Sequence, residues 1–191
     1  MSLAYLVNLV RDPNIASITP TSRFGVKKIC DKMDFGRAKV VVEYGPATGV
    51  FTRYMLEHMS PDAKLVAIDT NANFLKVLRE RITDPRLSIF HDTAENIKAC
   101  LESVGCQSTD YVISGIPFSM LPPEVADRIV KNTLDALTPG GKFLIYQFLK
   151  PETKTNRGIH RYLPSHFQKI NREVELLNIP PLWIYEAIKT A

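Results

Sequence analysis

The chain has 191 residues, 45% of them apolar and 23% charged, and carries a formal net charge of +4 at pH 7. That length can bury one good core, so a single domain over residues 1–191 is expected, and no apolar run approaches the roughly 18 residues of a membrane-spanning helix. The mild positive charge permits contact with an anionic surface but is low for a dedicated duplex-binding protein.

The three cysteines, Cys30, Cys100 and Cys106, are odd in number and lack C-x-x-C spacing. They read as reduced thiols rather than a disulfide frame or a zinc site, which predicts a cytoplasmic protein with no metal. The start of the chain lacks a basic stretch and a small-residue cleavage site, so no signal peptide is expected.

Leu3, Leu6, Val7 and Val10 recur at helical spacing until Asp12-Pro13 ends the pattern. The segment is either a helix packed on the body or one that rests in a lipid interface. A polar, proline-bearing stretch follows, and then Phe24, Val26, Ile29, Cys30 and Met33 give a second helical face, with Thr21 or Ser22 as its cap. Residues 1–36 are expected as a helical cap on a core of residues 37–191. The loop before this helix can close over a ligand, where Arg23 either meets an anionic group or is a solvated surface charge.

Residues 39–52 read as strand, glycine turn and helix. Val40 to Val42 is a short β-branched run suited to a strand buried on both faces. Gly45 and Gly49 then permit a tight turn and close approach of a ligand. Val50, Tyr54, Met55 and Met59 carry on at helical spacing, and the helix start offers unpaired N–H groups. The pattern Glu43-x-Gly45-x-x-x-Gly49 lacks two glycines of a dinucleotide fingerprint and has no P-loop lysine.

Lys64 to Asp69 is a second buried strand ending in a carboxylate. Asp69 can accept from both hydroxyls of a ribose diol; alternatively Asp69, Thr70 or Asn71 simply caps the helix of residues 71–82, with Phe74, Leu75, Leu78 and Ile82 inward. Arg86 to His91 is a third strand. Asp92 after it can face an adenine amino group, or cap a helix with Glu95 three residues on. His91 reads as structural.

Asp110 to Ser114 is a fourth strand, running into Gly115-Ile116-Pro117-Phe118. In an open parallel sheet this end faces the ligand crevice. The proline stiffens the loop and Gly115 offers flat backbone. Pro122-Pro123 opens a helix with Val125, Ile129, Val130 and Leu134 inward. Thr138-Pro139-Gly140-Gly141 reads as a turn before a fifth strand, Lys142 to Leu149. A polar stretch with Lys150, Lys154 and Arg157 follows, then a short helix in 161–170. The segments 174–179 and 182–188 read as two strands that must pair antiparallel around Pro180-Pro181.

Glu43-x-Gly45-x-x-x-Gly49 resembles the first motif of class I methyltransferases that use S-adenosylmethionine, with Ala47 in place of the middle glycine. Leu137-x-Pro139-Gly140-Gly141 resembles their turn before the fifth strand. The resemblance implies an α/β, Rossmann-like fold: a seven-stranded, mostly parallel sheet with an antiparallel C-terminal hairpin and helices on both faces. It implies S-adenosyl-L-methionine as cofactor, held by Glu43, Gly45, Pro46, Ala47, Thr48, Gly49, Asp69, Thr70, Asp92, Thr93 and Ser114. Glu43 is expected to orient the amino group of the methionine part.

Pro20-Thr21-Ser22-Arg23, Ser114-Gly115-Ile116-Pro117-Phe118 and Leu121-Pro122-Pro123 narrow the resemblance to short bacterial phospholipid N-methyltransferases, which are similar to ribosomal RNA adenine dimethyltransferases. In the adenine enzymes an asparagine stands where this chain has Gly115. Its loss removes a partner worth about 1–3 kcal/mol to an adenine amine. The resemblance implies an enzyme acting on the amine of a phosphatidylethanolamine-type lipid, with peripheral membrane contact. Ser114, Gly115 and Tyr146 are the candidates to assist the amine, and Arg23, Pro117 and Phe118 to bind the substrate. The alternatives are a nucleic-acid adenine N6-methyltransferase, or a fold that binds the cofactor without turnover.

Overall fold

The computed structural model describes residues 21–149 and 158–190. The helix expected over 3–10, Pro20, and the basic positions Lys150, Lys154 and Arg157 lie outside them. The helices are α1 (Arg23–Cys30), α2 (Val50–His58), α3 (Ala72–Arg81), α4 (Ile97–Ser103), α5 (Pro123–Ala136) and α6 (Leu163–His166). The strands are β1 (Val40–Tyr44), β2 (Lys64–Asp69), β3 (Leu87–His91), β4 (Thr109–Ser114), β5 (Leu137–Phe148), β6 (Lys169–Glu175) and β7 (Leu182–Ile188). They form one sheet in the order β3-β2-β1-β4-β5-β7-β6. β1 to β5 are parallel, and β7 runs antiparallel to both β5 and β6. This is the expected Rossmann-like methyltransferase sheet.

Alternation along the central strands supplies two cores. Val42 and Tyr44 of β1 face a layer that includes Ile97 and Leu101 of α4 and Ile129 and Val130 of α5. Val41 faces the other layer, with Val26 and Ile29 of α1 and Phe51 and Met55 of α2. α1 is capped by Ser22, whose side chain accepts from the Gly25 N–H at 3.2 Å.

Several elements differ from their sequence reading. Phe24 and Val50 are exposed, and the inward face of α2 is Phe51, Met55 and Leu56, with Tyr54 partly buried against the same core and Met59 buried just beyond the helix. Arg86 precedes β3 and closes the end of α2: Nη1 donates to the Met59 and Ser60 carbonyls at 2.9 and 3.3 Å, Nη2 to the Leu56 carbonyl at 2.7 Å. Asp92 is not a helix cap, because Thr93 takes that place for the short 3-10 turn Ala94–Asn96 ahead of α4. Pro139-Gly140-Gly141 lies inside β5, where its pairing with β4 shifts register between Thr109 and Tyr111. β6 begins at Lys169, not Val174, and ends where its apolar run starts. As an edge strand it is free to carry Lys169, Asn171, Arg172 and Glu173, which hid it from an apolar-run reading.

Candidate functional site

The carboxyl ends of β1 to β4, together with the β5–β7 pair, surround a cavity of about 520 Å³. β1 and β4 are neighbours where the strand order reverses, and such a switch point opens a crevice in an α/β sheet.

One wall is the turn between β1 and α2, where Gly45, Pro46, Ala47 and Thr48 line the cavity. Gly49, the N-cap of α2, has φ 83°, and a Cβ there would come within 2.6 Å of Leu78 Cδ1. Glycine thus lets α3 press against the start of α2. Ala47 holds a left-handed conformation, φ 48°, uncommon for a residue with a Cβ. Glu43 lies under this turn, not on the cavity wall. It is fully buried, and Thr52 Oγ1 donates to its Oε2 at 2.6 Å. Burial pushes its pKa up to about 8, against the opposing hydrogen bonds from Thr52.

Asp69, Thr70 and Asn71 line the cavity next to that turn. Asn71 is the cap of α3, its side chain accepting from the Asn73 and Phe74 N–H groups at 3.0 and 3.3 Å. Asp69 therefore does not serve as the cap. Its Oδ1 accepts from the Asn71 N–H at 2.8 Å. Burial raises its pKa, while the N–H groups of Asn71, Ala47 and Thr70 and the neighbouring His91 oppose the rise. His91 Nε2 is 3.0 Å from the Thr70 carbonyl and so steadies the corner. A half-buried carboxylate held this way can accept from a pair of hydroxyls.

Asp92 and Thr93 form the third corner of the wall. Asp92 Oδ1 accepts from the Thr93 N–H at 2.7 Å and from Asn96 Nδ2 at 2.8 Å. Its main-chain N–H donates to the Asp69 carbonyl at 3.1 Å, which ties two corners together.

Beyond β4, Gly115, Ile116 and Pro117 line the cavity. Ser114 is buried behind them, its hydroxyl accepting from the Ile116 N–H at 3.4 Å. Phe118 is turned away from the cavity into the core, edge-on to Phe143 with ring centroids 6.4 Å apart. Tyr146 lines the cavity and stacks on Phe51 at 4.6 Å. A Cβ at position 115 would fall on the Tyr146 hydroxyl and lie 2.6 Å from Cζ, so Tyr146 fills the space a side chain there would take. Arg23 is exposed, its guanidinium 4.9 Å from the Phe24 ring centroid. Thr21, from the same turn, does line the cavity.

The sequence reading missed Gln147, His160, Trp183 and Tyr185, which complete the far wall. Trp183 and Tyr185 share a face of β7, with the Arg172 guanidinium 3.5 and 5.5 Å from their ring centroids. Their i, i+2 spacing on a strand was the available signal.

No helix among the described residues is long and apolar enough to cross a membrane. The profile of the methyltransferase domain family matches residues 41–141. The ornithine lipid N-methyltransferase of Singulisphaera acidiphila is 24% identical over 172 residues, 90% of this chain and 86% of that protein. The ubiquinone/menaquinone biosynthesis C-methyltransferase UbiE of Pseudomonas paraeruginosa is 26% identical over 59% of this chain, which spans only 43% of UbiE. A putative O-methyltransferase structure from Klebsiella pneumoniae aligns over 100% of this chain and 91% of its own with TM-score 0.71; at 15% identity this speaks for the fold. With the family's region covering β1 through the start of β5, the chain belongs to the methyltransferase domain family and is a class I S-adenosylmethionine-dependent methyltransferase.

Proposed function

We propose that the methyl acceptor is the primary amine of a membrane lipid. A phosphatidylethanolamine-type headgroup is the first acceptor to test, and ornithine lipid, named for the Singulisphaera relative, the second. The observation that carries this reading is the fit of Tyr146 against Gly115. It sets the Tyr146 hydroxyl against the Gly115 backbone on the cavity wall, a small polar spot suited to the N–H groups of a flexible amine. Phe118, buried behind it, offers no open ring on which a nucleobase would stack.

The cavity fits the cofactor. It has the volume, a turn whose Gly45 meets Ile116 so closely that a Cβ would lie 3.0 Å from Cγ2, and a held carboxylate at Asp69. S-adenosylmethionine supplies an electrophilic methyl group when bound. Asp69 and Thr70 stand for the ribose, Asp92 and Thr93 for the adenine, and the turn of Gly45, Pro46, Ala47, Thr48 and Gly49 for the methionine part. Glu43 acts from beneath by fixing Thr52 and with it the start of α2.

The acceptor must present an uncharged nitrogen, so its ammonium form first gives a proton to solvent. The Gly115 carbonyl and the Tyr146 hydroxyl then accept its two N–H groups and aim its lone pair, while Ser114, buried behind them, holds the loop through the Ile116 N–H. Alignment of this kind, rather than a dedicated base, supplies much of the acceleration. Pro117 holds the corner rigid, and Arg23 beside the cavity meets the lipid's anionic group.

The test is transfer of labelled methyl from S-adenosylmethionine to vesicles of phosphatidylethanolamine, vesicles of ornithine lipid, and total RNA. Label in either lipid is the expected result. Label in RNA alone would overturn the lipid reading in favour of an adenine acceptor.

A further inference from the structure

The described residues contain seven large apolar side chains that point to solvent: Phe24, Val50, Met120, Leu149, Leu176, Leu177 and Ile179. All lie at one end of the molecule, the carboxyl end of the parallel strands where the cavity opens. Val50 and Met120 line the cavity itself. Leu149 follows β5, and its N–H donates to the Pro181 carbonyl at 2.7 Å. Leu176, Leu177 and Ile179 belong to the β6–β7 connection, and Phe24 lies two residues past Ser22, whose hydroxyl donates to the Leu177 carbonyl at 3.3 Å. The opposite end, where β1, β2 and β3 begin, carries the Lys39–Asp62 and Arg86–Asp84 ion pairs. Scattered apolar side chains on a surface are ordinary, but a set confined to one end, around the cavity mouth, marks an interaction surface.

The β6–β7 connection inverts the arrangement that water favours. Asn178 is 1% exposed, while Leu176, Leu177 and Ile179 are 70%, 64% and 81% exposed. Asn178 Oδ1 accepts from the Ser22 N–H at 2.6 Å, and its Nδ2 donates to the Pro180 carbonyl at 2.6 Å. At the base of the connection the buried Glu175 accepts from the Leu177 N–H at 2.6 Å and pairs with Lys28 at 3.3 Å. The polar groups thus brace the connection from inside and leave the apolar side chains facing out. Residues 176–181 contain no charged side chain, and among the described residues Arg23 is an exposed cation on the same rim, over Phe24.

We propose that this end of the molecule docks on a lipid bilayer, with Leu176, Leu177 and Ile179 entering the acyl boundary, Phe24 beside them, and Arg23 at the level of anionic headgroups. Docking would bring the cavity mouth to the membrane surface, so that a lipid amine reaches Tyr146 without leaving the bilayer. Its purpose presupposes the lipid-amine reading above; its measurement does not.

The test is flotation of the full chain with vesicles of phosphatidylcholine and phosphatidylglycerol, without any methyl acceptor. The parent is expected to float, and the double change Leu177→Ser with Ile179→Ser to weaken binding about tenfold or more. Affinity for S-adenosylmethionine, which these side chains do not touch, reports that the variant is folded. Should the double variant fail that check, Leu176→Ser alone is measured, with a loss of several-fold expected. A parent that does not float, a folded variant that floats as well as the parent, or a parent that instead forms a dimer which the variant dissolves would each overturn the proposal. Variant-sensitive flotation with no amine lipid methylated would leave the docking standing and sink the lipid substrate. Methylation of a water-soluble short-chain ethanolamine lipid without flotation would do the reverse.

Discussion

The β1–β3 side of the cavity takes its polar groups from three successive strand-to-helix corners, at Gly45–Gly49, Asp69–Asn71 and Asp92–Asn96. The β5–β7 side takes Tyr146, Gln147, Trp183 and Tyr185 from within strands that meet antiparallel. On the first side each corner is a few consecutive residues whose hydrogen bonds are mostly local, such as Asn71 N–H to Asp69 and Thr93 N–H to Asp92. On the second, the wall depends on register between segments far apart in sequence, and on Gly115 yielding its side-chain space to Tyr146. The first construction suits a cofactor common to a family. The second can change with one strand's register or one residue's size, and so suits an acceptor that differs between members.

The largest expected effect breaks the first side. Asp69→Ala removes a held carboxylate and should weaken S-adenosylmethionine binding by up to about a hundredfold. Calorimetry checks this, and unchanged affinity would remove the ribose assignment. Next comes the junction of the two sides. Gly115→Ala drives a methyl group into Tyr146 and should lower turnover about thirtyfold while cofactor affinity changes much less. Equal loss of both would mean that the two walls are not separable.

The smallest effect sharpens the comparison from below the turn. Burial raises the Glu43 pKa from 4.5 to about 8, so the folded chain keeps a proton that the unfolded chain has lost between those values. Stability due to this group is therefore greatest at the acid side of that window and falls as pH rises through it. Glu43→Gln should flatten the decline of the melting temperature between pH 4.5 and about 8. A decline as steep as the parent's would show that Glu43 is not the group responsible.

The central strands and the three corners were legible because each signal is short. Lys64–Asp69 is an apolar run ending in a carboxylate, and the structure has β2 over those residues. Elsewhere the same apolar-run logic misled. Val174 to Ile179 looked like a strand, yet the strand is the more polar Lys169–Glu175 and the apolar residues after it are exposed. Phe118 is expected at the substrate from the family resemblance of the Ser114–Phe118 loop, but the 3-10 turn Phe118–Met120 directs it into the core beside Phe143. Asp92 looked like a cap by spacing, and Thr93, one residue later, does that work.

Short-range signals specify the α/β sheet with helices on both faces, the glycine turn after β1 and the carboxylates Asp69 and Asp92 that open the next two corners. Those depend on side-chain period, glycine placement and strand-end position, all of which act within a few residues. Tertiary structure alone decided that Tyr146 fills the space over Gly115, that Trp183 and Tyr185 close the cavity, and that Asn178 turns inward while Leu176, Leu177 and Ile179 turn out. Each of these rests on the packing of segments 30 or more residues apart or on partners such as Ser22 and Asn178, 156 residues apart. No local propensity encodes such contacts; they follow from which surfaces the folded sheet brings together.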